Sequence, residues 1–265
     1  MCIKKITYLC NKKAMRKIID KDLVKKLYDE GKSYEEISKI LGFSTSSIGR
    51  CYRKNFGILK DRSRNVRQSI QLTQDQKEIL FGGLLGDFCI VKHVKNYRGA
   101  VNHSIKQESY AKFLHSKLKP LVGQFRYIKV KTNNKIYDEC QFTIRPNLQL
   151  ESFYNCFYKD FSGKKDVPYD LTLLTPLAIA VWFMDDGFLI NNGYSQTLGF
   201  STCSFSLDGL IRLQDYLKSK YNIDTIIRKN FYLIVRQKSA QKLASLIQPY
   251  MIEKMYYKLG IYKNS

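Results

Sequence analysis

The stretch LTPLAIAVWFMDDG (residues 174–187) is an apolar run that ends on two adjacent carboxylates. Thr175 is placed to cap a helix and Pro176 suits its first turn, so the start is well specified. Asp185 and Asp186 then fall at the helix C-terminus, where the macrodipole is already negative and an acid costs roughly 0.3–1 kcal/mol. LFGGLLGDF (residues 80–88) has the same construction. Thr73 and Gln76 stand at capping-box spacing, a helix is predicted over 75–87, and Asp87 closes it. The two terminal acids, Asp87 and Asp186, are 99 residues apart. Two such helices at that spacing imply two halves of similar build.

After each helix the hydrophobic period changes from helical to alternating. In FRYIKVKT, Ile128 and Val130 face one side, and Tyr127, Lys129 and Lys131 the other. Gln141, Thr143 and Arg145 alternate with Phe142 and Ile144 in the partner strand. Strands over 195–205, 225–228 and 231–236 repeat the scheme in the second half. Helices are predicted over 109–121 and 147–159, then over 207–221 and 239–250. Each half reads helix, strand pair, helix, strand pair, helix. The class is α+β, with polar and cationic side chains on one face of each sheet and apolar ones on the other.

A formal net charge of +22 points to a polyanionic partner, most simply nucleic acid, with an anionic membrane surface as the weaker alternative. No apolar run reaches the ~20 residues needed to span a bilayer, and the basic N-terminus lacks the apolar stretch of a secretory signal. The seven cysteines are scattered and include no CxxC pair. They support neither a zinc site nor a disulfide framework, and fit reduced thiols in a cytoplasmic or organellar compartment rather than a secreted protein.

Half of the net charge lies in residues 1–70, which hold 18 Lys+Arg against 7 Asp+Glu. Three short helices are predicted there: over 21–30, from the Ser33/Glu36 capping box to Gly42, and from Ser44 to about residue 55. Leu23, Leu27, Ile37, Leu41, Ile48 and Tyr52 would form their core. The tight Gly42-Phe43-Ser44 turn resembles a helix-turn-helix, which implies that Thr45, Ser46, Gly49, Arg50 and Arg53 face a DNA groove. Residues 1–58 are thus read as a DNA-binding domain, and 59–72, with Arg62, Arg64 and Arg67, as a basic linker. The remaining 73–265 form the larger domain.

Two carboxylates brought to the same end of parallel helices repel each other unless a divalent cation such as Mg²⁺ lies between them. Close packing of those helices calls for small residues, and Gly82, Gly83 and Gly86 in one face Ala178 and Ala180 in the other. LFGGLLGDF and IAVWFMDDG resemble the two copies of the LAGLIDADG motif in single-chain homing endonucleases, over roughly residues 73–263. The resemblance implies two pseudo-symmetric αββαββα halves (about 73–160 and 174–263), with Asp87 and Asp186 as the metal-binding catalytic acids and Asp185 as a less favoured neighbour. It also implies that Lys165, in GKKDVP, and Lys258, in PYMIEKMYYKLG, lie near the metals. Two departures stand out: Phe88 replaces the glycine that normally follows the first acid, and Val181 and Trp182 are bulky where glycine is commoner.

The implied activity is Mg²⁺-dependent hydrolysis of one phosphodiester on each strand of a long, asymmetric double-stranded DNA site, by a monomer. Lys129, Lys131, Gln141, Arg145, Arg228 and Arg236 are the candidate strand contacts to DNA. Two alternatives stay open. One is a maturase that binds intron RNA with the same acids; the other is a transcription regulator of degenerate LAGLIDADG fold, whose usual mark is loss of the acids.

Overall fold

The computed structural model describes residues 19–30, 32–56, 71–93, 96–158 and 163–264. The chain divides into two compact units, Met1–Asn65 and Val66–Ser265. Arg62, Arg64 and Arg67 of the basic stretch lie outside the described residues.

The first unit holds α1 (Lys21–Asp29), α2 (Tyr34–Leu41) and α3 (Thr45–Phe56). Asp20 caps α1 by accepting from the amides of Asp22 and Leu23, and Ser33 and Glu36 form a reciprocal capping box on α2. Gly42 ends α2 at φ 64°, a left-handed conformation that costs glycine nothing because it has no Cβ. Val24, Ile37, Ile48 and Tyr52 are buried together, with Leu27 and Leu41 packed against them. Leu23, expected in this core, is 40% exposed. The inward stripe of α1 is Val24, Leu27 and Tyr28, at three- and four-residue spacing, and a register through Leu23 misses it.

The second unit runs α4 (Gln74–Leu85), β1 (Cys89–His93), β2 (Asn96–Ser104), α5 (Glu108–Lys117), β3 (Arg126–Thr132), β4 (Lys135–Ile144) and α6 (Gln149–Phe157). It continues with α7 (Pro176–Asp186), β5 (Gly187–Asn191), β6 (Gln196–Phe200), α8 (Leu207–Tyr221), β7 (Thr225–Ile227), β8 (Leu233–Val235) and α9 (Gln237–Ile247). A 3₁₀ segment, Glu253–Asn264, follows. The strands make two four-stranded antiparallel sheets, ordered β1-β2-β4-β3 and β5-β6-β8-β7. The β3–β4 hairpin closes through Asn133 and Asn134, both at positive φ, as a two-residue hairpin turn requires. The strand expected over 195–205 is shorter: after Phe200 the chain leaves the sheet, and the Thr202 hydroxyl donates to the carbonyl of Phe231.

Helices α4 and α7 pack in parallel. Near their starts the Thr175 hydroxyl donates to Glu78 Oε2 at 2.6 Å; further along Gly82 meets Ala178, and near the ends Gly86 meets Asp185. A Cβ on Gly82 would lie 2.2 Å from the Ala178 carbonyl oxygen, so only glycine permits this approach. Gly83 serves a different contact, since the Phe88 ring occupies the space a Cβ would take. From Ala178 to Asp185 every side chain of α7 is buried, which explains why the helix is apolar on all sides. Trp182 stacks on Phe200 with ring centroids 3.9 Å apart.

Pleat and register assign the sheet faces, because cross-strand partners share a face and neighbours along a strand alternate. Tyr127 pairs with Cys140, which pairs with His103, and Val101 pairs with Phe142; these residues lie on the face covered by helices. Tyr127 confirms it, donating from its hydroxyl to Glu108 of α5. Lys129 and Lys131 therefore belong to the helix-side face, while Ile128 and Val130 share the open face with Asn102, Gln141 and Thr143. Within β3 the lysines do stand opposite Ile128 and Val130, but they fall on the helix-side face of the sheet rather than on the face of Gln141. The hairpin extends beyond its helical cover, so its alternation no longer reports which side is the core.

Among the described residues no helix is long and apolar enough to cross a membrane, and the described cysteines are all free.

Candidate active site

The ends of α4 and α7 differ in construction. Helix α4 stops at Leu85, two residues earlier than the sequence predicts. Gly86 leaves the helical region at φ −99°, ψ −130°, and Asp87 sits in the turn before β1. Helix α7 continues through Asp186 itself. Gly187 then opens β5 in an extended conformation any residue can adopt, but a Cβ there would lie 2.3 Å from the Phe183 carbonyl oxygen. Glycine is required for space. On the first helix Phe88 is buried instead.

Each end is held by a lysine from a distant segment. Lys165, in the extended chain before α7, donates from Nζ to the carbonyls of Gly86 and Phe88 at 2.5 and 2.7 Å. Its position is fixed by Asp166, whose amide bonds the Phe157 carbonyl and whose carboxylate accepts from Ser206. Lys258, in the C-terminal 3₁₀ segment, donates to the carbonyls of Met184 and Asp185 at 2.6 and 2.9 Å, and to that of Phe183 at 3.4 Å. An ammonium group at a helix C-terminus satisfies the last carbonyls and offsets the dipole that the acids aggravate. Burial draws both lysines below the usual value, and the aspartates oppose it.

The acids are not alike. Burial, followed by the neighbouring charge of Asp87, pushes the Asp186 carboxyl up to about 7 against the pull of Lys165 and Lys258. Asp185 is fully buried and raised far above the carboxylate range, first by desolvation and then by Asp87. Its Oδ2 accepts from the Asp87 amide at 3.2 Å, in space that a Cβ on Gly86 would fill. Asp87 is more open, its side chain 45% exposed.

The structure adds His103, which the sequence reading missed. Its ring, 1% exposed, lies between two acids: Nδ1 is 3.7 Å from Asp87 Oδ2 and Nε2 is 3.9 Å from Asp185 Oδ1. Among the described residues neither nitrogen, nor Asp185 Oδ1, has a partner at hydrogen-bond geometry, although the side chains of Gln107 and Tyr110 lie close enough to act on His103 and Asp185 respectively. Burial lowers the His103 value. The signal lay in NYRGAVNHS, where Tyr97, Gly99, Val101 and His103 alternate on one strand face, so that an ionisable ring ends an otherwise apolar row.

The charge of Asp87 reaches the Asp186 carboxyl, and the buried nitrogens of His103 and Oδ1 of Asp185 lie without a hydrogen bond beside Asp87, an arrangement that fits a divalent cation. Asp87, His103 and Asp185 each bring a ligand atom to within 4.8 Å of the others.

The remaining sequence candidates divide by location. Gln141 lies on the open face of the first sheet, and Arg145, just past β4, is exposed. Arg228 rims a groove on the open face of the second sheet, with Phe188, Ile190, Tyr232 and Ile234 in its lining. Arg236 follows β8 and begins α9. Lys129 and Lys131 are exposed on the other face of their hairpin and are not brought together with Gln141. In the first unit Thr45, Ser46, Arg50 and Arg53 are exposed on α3, whereas Gly49 packs on the ring of Tyr34.

Residues 77–243 match the model of the LAGLIDADG DNA endonuclease family. The DNA endonuclease I-ChuI of Chlamydomonas applanata is 31% identical over 216 residues, covering 72% of this chain and 97% of that protein. The cytochrome b mRNA maturase bI2 of Debaryomyces hansenii is 29% identical, covering 77% of this chain and 81% of the maturase. The bI2 maturase of Saccharomyces cerevisiae is 32% identical over 77% of this chain, which spans about half of it, 51%. In fold, the chain is similar to the homing endonuclease I-WcaI bound to its DNA recognition sequence, with a TM-score of 0.66, 22% identity, and coverage of 78% of this chain and 96% of that one. With two acid-ended helices packed in parallel, each feeding a four-stranded sheet, and a match over most of its length, the chain belongs to the LAGLIDADG DNA endonuclease family.

Proposed function

We propose that the chain is a site-specific homing endonuclease that makes a double-strand break in a long, asymmetric DNA target. The observation that carries this reading is that Asp87, in the turn after one helix, and Asp186, the last residue of the parallel one, lie at the same end of the pair, each just ahead of a strand of a four-stranded sheet. The halves act as a pseudo-symmetric pair in one chain, so a monomer is the working unit. Asp87 and Asp186 hold Mg²⁺, which supplies a water of lowered pKa and charge stabilisation at the leaving oxygen. Lys165 and Lys258 keep the two carboxylates in place by fixing the backbone beside them, and add positive charge where phosphate charge develops.

Gln141, Arg145, Arg228 and Arg236 contact the duplex from the sheets. Lys129 and Lys131 meet phosphate from the far side of the hairpin. The first unit acts as a helix-turn-helix, with Thr45, Ser46, Arg50 and Arg53 toward the groove. A second reading, intron RNA binding, is favoured by the similarity to two cytochrome b mRNA maturases. The compartment is the cytoplasm or an organelle.

The test is selection from a randomised duplex library with Mg²⁺ or Ca²⁺. One recurrent cut site with Mg²⁺, bound but uncut with Ca²⁺, supports the reading. Salt-sensitive binding without cutting under any metal contradicts it, and preference for structured intron RNA over duplex favours the second reading.

A further inference from the structure

The His103 ring is 1% exposed, neither nitrogen has a partner at hydrogen-bond geometry among the described residues, and each faces a different carboxylate. The separations, 3.7 Å to Asp87 and 3.9 Å to Asp185, are too long for hydrogen bonds, which close at about 3.2 Å. They do suit ligands of a shared ion, since two donors bound at about 2.1 Å stand roughly 3.0–4.2 Å apart. One imidazole gives one nitrogen to a given ion. Nδ1 faces Asp87, whose carboxylate is partly open to solvent, and Nε2 faces Asp185, which is wholly buried. A metal-bound histidine commonly donates its other ring N–H to a carboxylate, which fixes its tautomer.

We propose that Asp87 Oδ2 and His103 Nδ1 form a mixed oxygen–nitrogen site for a borderline transition-metal ion such as Co²⁺ or Zn²⁺, with Asp185 as the carboxylate that faces the other ring nitrogen. This deepens the endonuclease reading at Asp87 by making the two helix ends differ in metal preference. The pairing Cys89 with Ala100 recurs 99 residues on as Phe188 with Gly199, and the same offset from His103 gives Thr202. There the chain has left the sheet and carries a hydroxyl bonded to the Phe231 carbonyl, so that offset brings no imidazole to the second half. Imidazole favours Co²⁺ and Zn²⁺ over Mg²⁺, which prefers oxygen ligands.

The experiment is a metal titration of the full chain without DNA, read by the visible spectrum of Co²⁺ and by calorimetry with Zn²⁺ and Mg²⁺. The wild type should give a Co²⁺ spectrum of nitrogen–oxygen coordination that Asp186→Asn retains. His103→Phe and His103→Gln should lose that spectrum and weaken Co²⁺ and Zn²⁺ binding at least about tenfold with little change for Mg²⁺; Asp185→Asn should weaken them by about tenfold. If the His103 variants do not fold, ¹⁵N-histidine NMR of the wild type decides. Zn²⁺ should shift the His103 ring signals and spare those of His115, which is bonded to the Gly123 carbonyl. Unchanged Co²⁺ binding in folded His103 variants, no Co²⁺ binding by the wild type, or unmoved His103 signals at saturating Zn²⁺ would each overturn the proposal. Because no DNA is present, failure to cut DNA would count against the endonuclease reading alone.

Discussion

The two motif helices solve one problem in opposite ways. Helix α4 breaks at Gly86 and releases Asp87 into a turn, half open and backed by Asp185 and His103. Helix α7 stays helical through Asp186 and keeps it largely buried, with Lys258 on its last carbonyls. The residue after each acid follows from this. A helix that runs straight into a strand leaves no room for a side chain at Gly187, whereas the earlier break opens a space that Phe88 fills over Gly83. The departure at Phe88 is thus part of the first helix end rather than decay of the motif.

Exchanging these residues is the most severe way to break that comparison. Gly187→Ala forces a Cβ to within 2.3 Å of the Phe183 carbonyl oxygen, and Phe88→Ala empties a buried site. In urea unfolding Phe88→Ala should cost about 3–5 kcal/mol and Gly187→Ala about 1–3 kcal/mol. The lysines come next. Lys258→Met leaves two well-bonded carbonyls and a third at longer range without their donor, for a loss of about 2–3 kcal/mol, and Lys165→Met, with two carbonyls on a less buried side chain, should lose less. Equal losses would show that the two ends are held alike.

The remaining comparison concerns charge and is read as a difference between pH values. Asp186 has a folded value of about 7, above its unfolded carboxylate value near 3.8, so the folded state binds the proton more tightly between those two pH values. Its ionisation therefore costs stability, increasingly as pH rises from about 4 to 7, and the cost is complete above 7. In chelator at pH 8, Asp186→Asn should raise Tm by a few degrees, with the gain fading toward pH 4. Adding Mg²⁺ should stabilise the wild type and not the variant.

Much of this was legible in the sequence because it rests on local chemistry. Thr73, Thr175 and Ser33 act as caps where their spacing placed them, and Gly82 against Ala178 follows from the small residues in two apolar runs. His103 escaped, and Asp185 stood only as a less favoured neighbour, because their roles depend on contacts across 16 and 98 residues with Asp87, which no periodicity encodes. The face of Lys129 and Lys131 was not legible for a third reason. Alternation shows which residues share a face, but in a hairpin beyond its helical cover it does not say which face is open.

The most direct test of the central claim, that Asp87 and Asp186 jointly form the cutting centre despite their different surroundings, is strand-resolved cleavage of the selected target by Asp87→Asn and Asp186→Asn. Each variant should lose double-strand cutting by roughly 10²-fold or more while still binding the duplex. Near wild-type cutting of both strands by either variant would contradict it.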